Sequence, residues 1–213
     1  MASSLYVTTT EAHTGKSLVC LGMLEMILRK TERVGIFRPL ISGTSQQQDK
    51  NIKLLLEHFQ LKQTYDESYG YHRREARELI LAGKYDQVLD RVIEKYKALE
   101  SECDFVLCEG SDFTDENATL DFNINVDFAK NLGCPVLLLA RGDQHDSVED
   151  ILSPMQISYE SFVENEREVL SVIINRSKPE LAHELLLGLQ DRIADKNVVV
   201  GVIPSNRVLQ SHT

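Results

Sequence analysis

Six short apolar runs without alternating polarity recur along the 213 residues, and stretches of helical spacing lie between them. The runs are Leu5 to Thr9, Val34 to Phe37, Phe105 to Cys108, Val136 to Ala140, Leu170 to Ile174 and Val198 to Ile203. A strand that is apolar at nearly every position has both of its faces covered. Helical spacing occupies Leu18 to Lys30, Asp49 to Phe59, Arg73 to Leu81 and Tyr85 to Leu99. Strands alternating with helices in this way predict an α/β domain, with a mostly parallel, doubly wound sheet in a three-layer αβα stack. Arg38-Pro39 is expected to end the second strand, because proline cannot donate to a ladder. The polar stretch from Thr44 to Gln48 reads as a loop rather than a boundary, so residues 1–213 are expected to form one domain.

Charge narrows the function classes. Lys and Arg number 23 against 33 Asp and Glu, a formal net charge of -10. Nucleic-acid surfaces draw on clustered Lys and Arg, so nucleic acid is not an expected partner. No run approaches the roughly 18 apolar residues that span a bilayer, and Met1-Ala2-Ser3-Ser4-Leu5-Tyr6 lacks the basic and apolar regions of a signal peptide. The expected setting is therefore cytoplasmic, without a membrane partner. Cys20, Cys103, Cys108 and Cys134 form no C-x-x-C pair and read as reduced thiols.

Between the first strand and the first helix lies Thr9-Thr10-Glu11-Ala12-His13-Thr14-Gly15-Lys16-Ser17. In a phosphate-binding loop, backbone N–H groups turn around the anion, a lysine reaches the β- and γ-phosphates, and a hydroxyl takes Mg²⁺. The dipole of the helix that follows adds to the site. The expected phosphate set is Thr10, His13, Thr14, Gly15, Lys16 and Ser17, on a fold of the P-loop NTPase kind. The general pattern asks for glycine where this chain has Thr10. Glu109, at the carboxyl end of the Phe105 strand, points to the crevice where open α/β sheets bind ligands. There it holds Mg²⁺ or caps a helix. Asp49 has an adequate role as a helix N-cap. Asn175 follows a strand and reads either as a purine-binding amide or as a strand-end turn. Arg73-Arg74 reads as a solvated helix face.

These segments in this order resemble dethiobiotin synthetases, and more closely the dethiobiotin-synthetase-like N-terminal domain of long-form phosphate acetyltransferases. The resemblance runs through Phe37 to Gly43, Cys108-Glu109-Gly110-Ser111, Phe122 to Lys130, Val172 to Arg176 and Gly201 to Pro204. It implies that Lys16 and Ser17 bind the phosphates and Mg²⁺ of ATP or another nucleotide. It also implies that Asp49 and Glu109 are the Mg²⁺ carboxylates and that Asn175 contacts the base. Arg38 replaces a lysine that handles the diamine substrate in the synthetases, and with Ser42 it marks a pocket for substrate or effector. Arginine is a fixed fork rather than a compact point charge, so this replacement is not conservative. Thr9 stands in place of a family glycine, and His13 in place of a loop acid.

Three functions follow as expectations. The first is a regulatory nucleotide-binding domain of a phosphate acetyltransferase, whose acetyl transfer takes place in another domain. The second is an ATP-dependent carboxylase of the synthetase type. The third is an assembly module without nucleotide, in which Thr9 and Thr10 crowd the phosphate path. The resemblance further implies partners: a nucleotide or small effector, regulatory and catalytic domains of the same longer chain, and a second copy in a homo-oligomer. The end of the chain soon after its last strand reads as excision from a longer protein.

Overall fold

The computed structural model describes residues 2–43, 47–112 and 118–206. Most of the Thr44–Gln48 loop and the last seven residues lie outside them. The elements are β1 (Ser3–Thr9), α1 (Lys16–Leu28), β2 (Val34–Ile41), α2 (Lys50–Phe59), β3 (Tyr69–His72), α3 (Arg73–Leu81) and α4 (Tyr85–Glu102), then β4 (Phe105–Glu109), α5 (Ala118–Leu132), β5 (Val136–Arg141), α6 (Val148–Glu164), β6 (Val169–Ser177), α7 (Ala182–Arg192) and β7 (Val199–Pro204). The strands form one parallel sheet in the order β3-β2-β4-β1-β5-β6-β7.

The central strands show why their sequences do not alternate. Tyr6, Val106, Cys108, Val136, Leu138 and Ala140 pack with residues of α4 to α7 on one face. Their chain neighbours Leu5, Val7, Leu107, Leu137 and Leu139 pack with α1 and α2 on the other. Two apolar layers on opposite faces of one sheet make the three-layer αβα stack. Cys20, Cys108 and Cys134 are buried free thiols, while Cys103 is half-buried.

Proline does not end the second strand. β2 continues through Pro39 to Ile41. Its pairing with β4 stops at Phe37, while Arg38, Leu40 and Ile41 pair with β3. Beyond Phe37 the strand pairs, among the described residues, with β3 alone, and a proline on a strand's unpaired side breaks no ladder. This extension carries Arg38 into the crevice at the carboxyl edge of the sheet.

Candidate functional site

β1 delivers the chain to the loop, and the loop turns on glycine. Gly15 sits at φ 82° directly before α1, and a Cβ there would meet the Asn175 amide nitrogen at 2.7 Å. Glycine is thus required twice over, by backbone conformation and by space. His13 is also left-handed, at φ 58°, and its carbonyl accepts a hydrogen bond from Arg176 at 3.2 Å. The loop walls a cavity of about 400 Å³ together with Asn51, Asp112 and Arg176. His13, Thr14, Gly15, Lys16 and Ser17 all line it. Thr10 does not. Its amide is bonded to the Leu139 carbonyl at 2.9 Å, and its hydroxyl to Glu11 at 3.3 Å, so β5 and the neighbouring acid have claimed its polar groups.

Ser17, which lines the cavity, donates from its Oγ to Glu109 Oε1 at 3.0 Å. The Asn51 amide donates to Ser17 Oγ at 2.7 Å. Glu109 is buried, and its other oxygen, Oε2, has no hydrogen-bond partner among the described residues. A buried carboxylate oxygen without a donor is what a hard divalent cation satisfies, so the site fits Mg²⁺. No group of three His, Cys, Asp or Glu that could cage a metal occurs among the described residues. Mg²⁺ commonly binds through one or two protein oxygens plus phosphates and water.

The two expected metal carboxylates are not side by side. Arg38, which is 2% exposed, lies between them. Its Nη1 donates to both Asp49 oxygens at 2.8 and 2.7 Å, and its Nη2 is 3.6 Å from Glu109 Oε1. Asp49 also caps α2, accepting from the amides of Asn51 and Ile52. These contacts match the N-cap reading of Asp49. Arg38 and Ser42 line one cavity of about 360 Å³. It shares Asn51 and Asp112 with the phosphate cavity.

Asp112 was not legible as a site residue. It follows Glu109 by three positions and sits where the two cavities meet. Its Oδ1 is 2.8 Å from the Lys16 ammonium, and its Oδ2 is 2.8 Å from Arg38 Nη2. Burial works to raise its pKa, but Lys16 and Arg38 more than offset that and hold it well below the usual carboxylate range. Burial likewise works against the charge on Arg38, which Glu109, Asp112 and Asp49 restore and strengthen. Lys16 also donates to the Gly110 carbonyl.

Asn125 of α5 fixes this turn. Its Oδ1 accepts from Ser111 N and from the Tyr6 hydroxyl, both at 2.8 Å. Its amide donates to the carbonyls of Ser111 and Asp121. A Cβ on Gly110 would meet that same Oδ1 at 2.7 Å, so the glycine lets the turn close on Asn125. Asn125→Ala is expected to lower stability by about 2–4 kcal/mol in urea denaturation, because two buried donors lose their acceptor; a loss below 1 kcal/mol would contradict this role. Arg73 supports the turn from the other side through the Asp112 carbonyl and Asp121. It is therefore part of the site's scaffold rather than a solvated face.

Asn175 reaches the loop from β6, its amide donating to the Thr14 carbonyl at 2.7 Å. It also lines an apolar cavity of about 370 Å³ with Leu18, Met23 and Ile203. Its neighbour Arg176 is left-handed, at φ 60°, and lines both this cavity and the phosphate cavity.

A sequence model described as "AAA domain" matches residues 3–213. The chain belongs to the AAA domain family. Along 99% of its length this AAA domain is 45% identical to a phosphate acetyltransferase of Synechocystis, of which it covers 30%. It is also 29% identical to an ATP-dependent dethiobiotin synthetase of Sulfurovum, over 66% of this chain and 69% of that protein. Both relatives are those the sequence segments pointed to. The chain spans about a third of the length of the phosphate acetyltransferases it matches. Among solved structures, a ParA family ATPase from Chlorobium tepidum superposes with a TM-score of 0.57 at 14% identity, over 99% of this chain and 88% of that one. That likeness concerns the fold: a P-loop NTPase-like α/β sheet. No helix among the described residues is long and apolar enough to cross a membrane.

Proposed function

We infer that this AAA domain binds a Mg-nucleotide without transferring its phosphate, and serves as a regulatory part of a phosphate acetyltransferase. The observation that carries the binding is the pairing of Ser17 with Glu109 beside Lys16, at the end of a glycine-turned loop. The buried Glu109 oxygen without a donor is suited to the metal. In this reading Lys16 and the loop amides take the phosphates. Ser17 and Glu109 hold Mg²⁺, which neutralises phosphate charge, and Asn175 meets the base. Arg38 speaks against synthetase chemistry. It is locked to Asp49 and Asp112, so it neither offers an amine nor frees its cavity for a diamine. Acetyl transfer between CoA and phosphate then belongs to another part of the longer protein, with this domain acting as its effector-binding and assembling unit in the cytoplasm.

The test is turnover. Incubated with Mg-ATP, bicarbonate and diaminopelargonic acid, the chain is expected to release no substrate-dependent ADP and form no dethiobiotin. With acetyl-CoA and phosphate it is expected to form no acetyl phosphate. Dethiobiotin formation would replace this reading with the synthetase one. Acetyl phosphate from the chain alone would refute the assignment of transfer elsewhere.

A further inference from the structure

We propose that Asp112 is an internal anion standing where a terminal phosphate would lie, so that the site selects a nucleoside diphosphate over a triphosphate. The inference rests on the nucleotide-binding reading above and adds the class of ligand. A P-loop lysine reaches the β- and γ-phosphates. Here the Lys16 ammonium already carries an anion, Asp112 Oδ1 at 2.8 Å. The second oxygen of the same carboxylate is 2.8 Å from Arg38. One two-oxygen anion thus bridges the two buried cations at the head of the loop, as a phosphate would. It does so at the junction of the phosphate cavity and the Arg38 cavity, since Asp112 lines both. In a phosphoryl-transfer enzyme that junction is where the outermost phosphate meets its acceptor.

The carboxylate is not an idle surface charge. The backbone of its turn is held by Asn125 and Arg73, and moving the carboxylate away breaks its contacts with both Lys16 and Arg38. Charge makes the same choice. The phosphate cavity is lined by two cations, Lys16 and Arg176, and two carboxylates, Glu11 and Asp112. A diphosphate can use the loop amides and share Lys16 with Asp112. A third phosphate must either displace Asp112 from Lys16 and Arg38 or lie against a like charge. With the diphosphate bound, Asp112 completes the anionic set, and the domain reads the hydrolysed form of the nucleotide.

Calorimetric titration of the chain with Mg-ADP and Mg-ATP, repeated on Asp112→Asn and Asp112→Ala, tests this. The native chain is expected to bind Mg-ADP at least about tenfold more tightly than Mg-ATP, the weight of one or two charged hydrogen bonds. Both variants are expected to lose that preference, chiefly by gaining affinity for Mg-ATP, with folding checked by circular dichroism. Equal or tighter binding of Mg-ATP by the native chain would overturn the proposal, as would a preference unchanged by both substitutions. Binding of neither nucleotide by the native chain or by the variants would instead overturn the nucleotide-binding reading on which it rests.

Discussion

Arg38→Met is expected to cost the folded chain about 3–5 kcal/mol, the penalty for leaving buried charge without its partner. The guanidinium donates to both oxygens of Asp49 and to Asp112, and lies 3.6 Å from Glu109. Asp49 and Glu109 are themselves buried, so water cannot take over when the arginine is gone. Arg38→Lys is expected to recover only part of the loss, because an ammonium is a point donor and cannot match three carboxylates with a planar fork. Urea denaturation of the native chain and both variants gives the comparison. A methionine variant within 1 kcal/mol of the native chain would show that the carboxylates find other partners. A loss of the expected size would mark Arg38 as the charge that holds Asp49, Glu109 and Asp112 together.

Lys16→Met is expected to weaken Mg-nucleotide binding by about 10- to 100-fold, the range for losing one or two charge-assisted hydrogen bonds to a phosphate. Its effect differs in kind from that of Arg38. Lys16 is buried at the loop head, yet its charge partner Asp112 keeps Arg38 and a side chain 46% exposed to water. The unliganded fold should therefore survive while the affinity falls. Ser17, Glu109 and the start of α1 remain, so some binding persists. A variant that binds as tightly as the native chain would move the phosphates away from this loop.

The fold was largely readable because the central strands are covered on both faces. Leu137, Leu138 and Leu139 leave no polar side to expose, and only a sheet between two helical layers accommodates that. β2 was read short because proline was judged by the ladder it cannot join, and the end of its β4 neighbour cannot be seen in a sequence. Residues 122–128 give no helical signal of their own. Phe122, Ile124, Val126 and Phe128 recur at period two, as in a strand, yet they lie in α5. Ile124, Asn125, Val126, Phe128 and Ala129 are all buried there, so the helix is enclosed on more than one side and carries no clean stripe.

At the site, Gly15, Lys16, Ser17 and Glu109 were legible because their chemistry follows from chain order, loop after strand and acid after strand. Asp112 and Asn125 were not, because their roles arise from the crossing of separate elements. Asn125 is an ordinary helical residue until Ser111 and Tyr6 are seen against it. Asp112 is an ordinary loop acid until Lys16 and Arg38 close on its two oxygens.

The central claim, that this loop holds a Mg-nucleotide, is tested most directly by thermal melting of the native chain with and without millimolar Mg-ADP. At a ligand concentration about 100 times the dissociation constant, binding stabilises the folded state by about 2.7 kcal/mol. For a domain of this size that corresponds to a rise in Tm of about 5–10 °C. A rise of that order, cut to about half or less in Lys16→Met, is the predicted result. A Tm unmoved by Mg-ADP and by Mg-ATP would contradict the account and leave the loop as architecture alone.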